Sequence, residues 1–205
     1  MNNASPEWFT LTPQGVMRAF GQPEVDAVSR KLQVLLTGEQ ALDAMGWSQK
    51  SGIDASEMLE FETQGWVQRL LRPLQGPDAR LDDFLQHVIA SLSSERRVVL
   101  ASDGGFCLGR AGIEQEEADV LSAAAADYAA FAARQARRGW AGASGYVAFH
   151  TDPEFLLPSY SFVPFWVDEA GYWLVILGEP LLNSPALVEL LWGIKEAGTR
   201  FAVSG

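Results

Sequence analysis

Residues 96–139 read RRVVLASDGGFCLGRAGIEQEEADVLSAAAADYAAFAARQARRG, and the pattern changes once along the way. Val98 to Ala101 is a short apolar, partly β-branched run of the kind that forms a buried strand. Asp103-Gly104-Gly105 predicts a hairpin turn, because glycine adopts positive φ without a steric cost. Phe106 to Arg110 then returns as a second strand, with Phe106 and Leu108 on one face and Cys107 on the other. From Glu114 onward the residues suit one long helix, to Arg137. Glu114, Glu116, Glu117 and Asp119 fall in its first turns, and Arg134, Arg137 and Arg138 at its end. Both placements favour the helix dipole, and Gly139 is the expected stop. Val120 or Leu121, with Ala124, Tyr128, Phe131 and Gln135, predict the stripe that lies on a sheet. Ala123, Ala126, Ala130 and Ala133 fall on a different side. Small side chains there let a second helix come close, and alanine is also the best helix former.

Outward from this stretch the elements alternate. A helix is expected over Leu81 to Ser93, with Phe84, Leu85, Val88, Ile89 and Leu92 on its apolar face. Three strands are expected after the long helix, at Gly145–His150, Ser161–Val167 and Tyr172–Leu177. Asp168 to Gly171 turns the last two into a hairpin. A final helix starts with Ser184 as cap and Pro185 in its first turn, and runs through Leu187, Leu190, Leu191 and Ile194 to Gly198. Phe162 and Trp166 alternate with Val163 and Phe165, so both faces of this sheet are apolar and call for cover.

The N-terminal part reads as short helices and one strand. Thr12 and Pro13 open a helix that Gly21 ends. A second spans Glu24 to Leu36, a third Glu39 to Met45 with Gly46 as its stop, and a fourth Asp54 to Glu62. Gly65 leads into a strand, Trp66 to Leu70. Arg72-Pro73-Leu74-Gln75-Gly76-Pro77 breaks both helix and strand and reads as a linker. Two domains are therefore expected, a mainly helical one over residues 1–75 and a mixed one over 76–205.

The second domain has the order α-β-β-α-β-β-β-α. With Val98-Val99-Leu100-Ala101-Ser102-Asp103-Gly104, then Gly112-Ile113-Glu114, Glu116 to Ala118 and the alanines to Ala133, it resembles the roadblock / dynein light chain family. The resemblance covers residues 81–200. It implies a profilin-like α/β sandwich with a five-stranded antiparallel sheet. It also implies a homodimer whose long helices pack together and whose sheets join edge to edge. The roles it implies are non-catalytic: scaffolding, and binding or regulating small Ras-like GTPases, as bacterial members do. Ala123, Ala126, Ala130, Ala133, Tyr146 and Phe149 are the expected dimer-interface residues. This chain departs from the family in its N-terminal extension, which resembles a winged helix, and in a long connection, Thr151 to Tyr160.

Charge narrows the partners. The net charge is −11 and the pI about 4.6. DNA affinity comes largely from basic residues neutralising phosphates. The helix that would read a groove, Ala55 to Glu62, carries Glu57, Glu60 and Glu62 and no lysine or arginine. Nucleic acid is therefore not an expected partner, and neither is an anionic membrane. A single cysteine, the lack of a signal-like N-terminus and the lack of a long apolar run lead to the expectation of a cytoplasmic protein.

Catalysis is not expected, nor any cofactor or metal. His150, Asp152 and Glu154 form an H-x-D-P-E cluster, but Pro153 breaks the alternation that would bring them together. Gly104, Gly105 and Gly109 lack the Gly-Lys-Ser/Thr of a phosphate loop. Cys107 has no histidine near it in sequence. Arg110 and Arg138 are weak candidates for an arginine finger. Two alternatives stand beside the homodimeric scaffold. One is a winged-helix transcription regulator with a dimerising sensor domain. The other is a small-molecule sensor built on the aromatic-lined sheet.

Overall fold

The computed structural model describes residues 7–77, 81–152, 154 and 156–202, and at 81–85, 141 and 198–202 the backbone alone. The expected apolar contacts of Phe84 and Leu85 lie outside the described side chains. Among the described residues the chain is mixed α/β, with a five-stranded antiparallel sheet, a three-stranded sheet and seven α-helices.

The larger sheet is built from β4 (Arg97–Ser102), β5 (Cys107–Ala111), β6 (Val147–Phe149), β7 (Tyr160–Val167) and β8 (Ala170–Leu177), in the spatial order β5-β4-β8-β7-β6. Period-two alternation divides its side chains between two cores. Val98, Leu100, Val163, Phe165, Leu174 and Ile176 enter one buried cluster, which also holds Leu187, Leu190 and Leu191 of α7 (Pro185–Ala202) and Val88 and Ile89 of α5 (Leu81–Ala90). Val99, Ala101, Phe162, Trp173, Val175 and Leu177 enter the other, with Ala118 and Ala125 of α6 (Gln115–Ala136). Helices thus cover both faces, as the two-sided apolar pattern requires. α7 continues past Gly198 to Ala202 and contains a second glycine, Gly193, each costing a helix interior about 1 kcal/mol.

The β7–β8 turn is tighter than expected. Val167 pairs with Ala170, so Asp168 and Glu169 alone make the turn, with φ of 48° and 69°. Positive φ at both central positions is the hairpin geometry that matches strand twist.

The N-terminal part contains β1 (Trp8–Leu11), α1 (Pro13–Phe20), α2 (Ala27–Gln33), β2 (Leu42–Asp43), α3 (Ala44–Ser51), α4 (Ala55–Thr63) and β3 (Val67–Leu70). Its sheet runs β2-β1-β3. Thr12 caps α1 as expected, its hydroxyl accepting the Gly15 amide at 3.0 Å. The expected third helix, Glu39 to Met45, is displaced. Asp43 is the true cap, accepting the Gly46 amide at 2.7 Å, so Gly46 lies in the first turn and not at the stop. The helix ends instead at Gly52, in the left-handed conformation with φ 70°. The second helix starts later than expected because Asp26 caps it, and it closes in a 3-10 turn over Val34–Leu36. β1 was not expected from the sequence. Four residues carry too short a pattern to announce a strand, and it exists by pairing with β3, 56 or more residues away, from Leu11↔Val67 to Trp8↔Leu70.

The first buried cluster does not stop at residue 76. Phe9, Leu11, Phe20, Leu35, Leu36 and Trp47 belong to it together with Leu190 and Trp192. The Arg72–Pro77 segment is hydrogen-bonded onto the N-terminal part, with Ala41 N–H donating to the Leu74 carbonyl and Gly76 N–H to the Glu39 carbonyl, both at 2.8 Å.

Candidate interface on the long helix and the sheet edge

α6 lies across one face of the large sheet, and its rotation about its own axis decides what it offers to solvent. Ala118, Ser122, Ala125 and Ala132 are buried, with Leu121, Ala124, Tyr128 and Ala129 half-buried beside them. Leu121, Ala124 and Tyr128 thus lie on the sheet as expected, while the deepest line runs beside them through the small residues. Val120 and Phe131 point outward, at 64% and 39% exposure. Alanines with a buried serine make the better floor because β4 and β8 sit close beneath them. Ser122 bonds its hydroxyl back to the Ala118 carbonyl at 2.8 Å and so needs no other acceptor.

The six expected interface residues separate into distinct places. Ala123 and Ala130 lie on the outer, exposed face of α6, with Glu116, Asp119, Val120, Asp127 and Arg134. Ala126 is half-buried and faces the β4–β5 hairpin, where a Cβ on Gly105 would come within 3.1 Å of its own Cβ. Ala133 is exposed, on the side that looks toward the β7–β8 hairpin. Phe149 lies on the α6 side of β6, its ring 5.7 Å from Tyr128 and 5.9 Å from Phe162, and is 41% exposed. Tyr146 belongs to the opposite side of the sheet, since its hydroxyl donates to Ser161 at 2.7 Å and Ser161 alternates with Phe162. Tyr146 and Phe149 thus flank the β6 edge from its two faces.

Trp140 and Phe131, the latter expected on the sheet side, complete this surface. Trp140 packs edge-on against Phe131, with ring centroids 6.4 Å apart, and both remain exposed. β6 is an outer strand of the sheet, hydrogen-bonded to β7 on one side. Beyond it the Thr151–Tyr160 connection is pinched at its neck. Ser159 N–H donates to the Phe149 carbonyl at 2.7 Å, and the Thr151 and Ser159 hydroxyls are 2.7 Å apart.

The chemistry-bearing residues are dispersed. Asp152 accepts the Glu154 amide at 2.9 Å in a local turn, and His150 is exposed. Among the described residues no group of three His, Cys, Asp or Glu side chains could hold a metal ion. Cys107 is half-buried, with its sulfur 3.7 Å from the Gly109 carbonyl. Arg110 is tied down, its guanidinium donating to the Ile113 carbonyl and to Gln115. No described helix is long and apolar enough to cross a membrane. The exposed side of α4 presents Ser56, Leu59, Glu60 and Thr63, and the nearby cations are already paired, Lys31 with Glu57 and Arg69 with Glu62. No family model, curated protein or solved structure matches the chain.

Proposed function

We propose that this chain is a non-catalytic, homodimeric regulatory or scaffold protein of the roadblock type, acting in the cytoplasm by binding partners such as a small Ras-like GTPase. The observation that carries the reading is the outer face of α6. Its two ends are oppositely charged, acidic at Glu116 and Asp119 and basic at Arg134 and Arg137, all exposed, with Ala123 and Ala130 between them and Asp127 the one carboxylate at the centre. An antiparallel pairing that sets Ala123 against the partner's Ala130 also sets Asp119 against the partner's Arg134, and Glu116 against the partner's Arg137. A twofold axis makes every such contact twice, and opposite charges in register select this orientation over others. The open β6 edge, flanked by Tyr146 and Phe149, supports the same reading, because exposed strand edges favour pairing.

Light scattering at micromolar concentration tests the dimer. The expected mass is twice 22.4 kDa, and a stable monomer rejects the reading. A pull-down with the purified chain and a small GTPase in its two nucleotide states tests the partner class. Equal failure in both states rejects that part alone.

A further inference from the structure

A pocket of about 420 Å³ opens between the C-terminal half of α6, the β7–β8 hairpin and the α1–α2 loop. Its floor is small and apolar, with Ala129, Ala132 and Ala136. Trp166 and Trp173 wall one side, and Asp103 and Glu24 stand at the rim. Among the described residues no lysine or arginine lines it. Trp173 is 3% exposed, and no described residue accepts a hydrogen bond from its indole N–H. Trp166 is half-buried, Asp103 and Glu24 are exposed, and no described residue forms an ion pair with either carboxylate.

The volume lies within the range of small-molecule sites. Indole faces attract cations, most strongly among the aromatic side chains. Two unpaired carboxylates at the mouth add a field of the same preference. The structure assigns this pocket to a small organic cation with a flat apolar body, the body lying between the alanine floor and the two indoles and the ammonium group at the rim near Asp103 and Glu24. The site lies on the side of α6 that faces the β7–β8 hairpin and does not rest on the chain being a dimer.

Tryptamine is a suitable probe, with indole-3-propionate as its anionic counterpart. Isothermal titration calorimetry on the full chain is expected to show saturable tryptamine binding below millimolar, and at least tenfold weaker binding of the anion. Ala129→Leu, which places three further carbons in the pocket, is expected to abolish binding while the thermal midpoint stays near wild type. Asp103→Asn, at an exposed side chain, is expected to weaken it roughly fivefold at low salt and less at high salt. The assignment is overturned by the absence of saturation at millimolar tryptamine, by equal binding of the anion, or by unchanged affinity in Asp103→Asn. A folded Ala129→Leu that still binds also overturns it, and should that variant unfold, Asp103→Asn and the anion comparison decide.

Discussion

The indole N–H of Trp192 donates to the carbonyl of Gly38 at 2.9 Å, joining a helix near the end of the chain to a turn near its beginning. Glu196, one turn further along α7, accepts the Gly38 amide at 2.5 Å. Both polar groups of one peptide position are thus held by one helix, and Trp192 is 1% exposed. Gly76 closes the arrangement, since a Cβ there would lie 2.9 Å from the same indole.

Trp192→Phe keeps most of the ring packing and leaves the Gly38 carbonyl without its donor. A cost of about 1–3 kcal/mol is expected, and Trp192→Ala should cost about 3–5 kcal/mol. Urea unfolding followed by fluorescence and by circular dichroism measures both. If the Phe variant matches wild type, the Trp192–Gly38 hydrogen bond contributes nothing to stability.

Asp26 caps α2 and receives Arg18 at 2.7 Å. The Arg18 hydrogen bond, with the Ser29 amide, lowers its pKa from 3.8 to about 2. A depressed carboxylate stabilises the fold above its unfolded pKa and loses that contribution as pH falls toward 2. The side chain is 57% exposed, so solvent screening limits the effect to under about 1 kcal/mol. Asp26→Asn keeps a capping oxygen and removes the charge. Its deficit in urea midpoint should be constant above pH 5 and should shrink steadily below pH 4. A deficit independent of pH would assign the effect to geometry and not to charge.

Ala123 is exposed, so Ala123→Arg should leave the monomer folded while blocking close approach of a second α6. The proposed register makes a sharper demand. Arg134→Glu should weaken dimerisation about fivefold or more, from two like-charge contacts, and adding Asp119→Arg should restore it. Sedimentation equilibrium at low salt measures this, and a double variant no better than the single one contradicts the antiparallel register.

Glu169 holds φ at 69° in the β7–β8 turn and is exposed. Left-handed backbone costs a non-glycine residue roughly 1 kcal/mol. Glu169→Gly also creates the Asp-Gly pair this turn favours. The variant should gain about 0.5–1 kcal/mol in thermal or urea unfolding. A loss would mean that the Glu169 side chain makes a stabilising contact of its own.

Much of the architecture was legible because its signals are local. The hairpin at Asp103 to Gly105, the limits of α6 and the β7–β8 pair follow from turn chemistry, dipole-matched charges and alternation. Boundaries failed where the residue that supplies the cap was not the expected one. Asp43 accepts the Gly46 amide, so α3 starts at Ala44 and not at Glu39. On α6 the expected stripe is right at Leu121, Ala124 and Tyr128, which pack on the sheet, and fails at Phe131, which points outward to Trp140.

By itself the sequence determined the order of the elements from α5 onward, the two apolar faces of the large sheet and the acidic start and basic end of α6, since each depends on residues a few positions apart. Only the tertiary structure decided which alanines face solvent, that Phe149 of β6 meets Tyr128 of α6, and that Trp192 closes on Gly38. Each of those is a contact between segments far apart in the chain, and hydrophobic burial, which drives such contacts, has no direction of its own. Packing geometry supplies the direction, and it exists only once every element is in place.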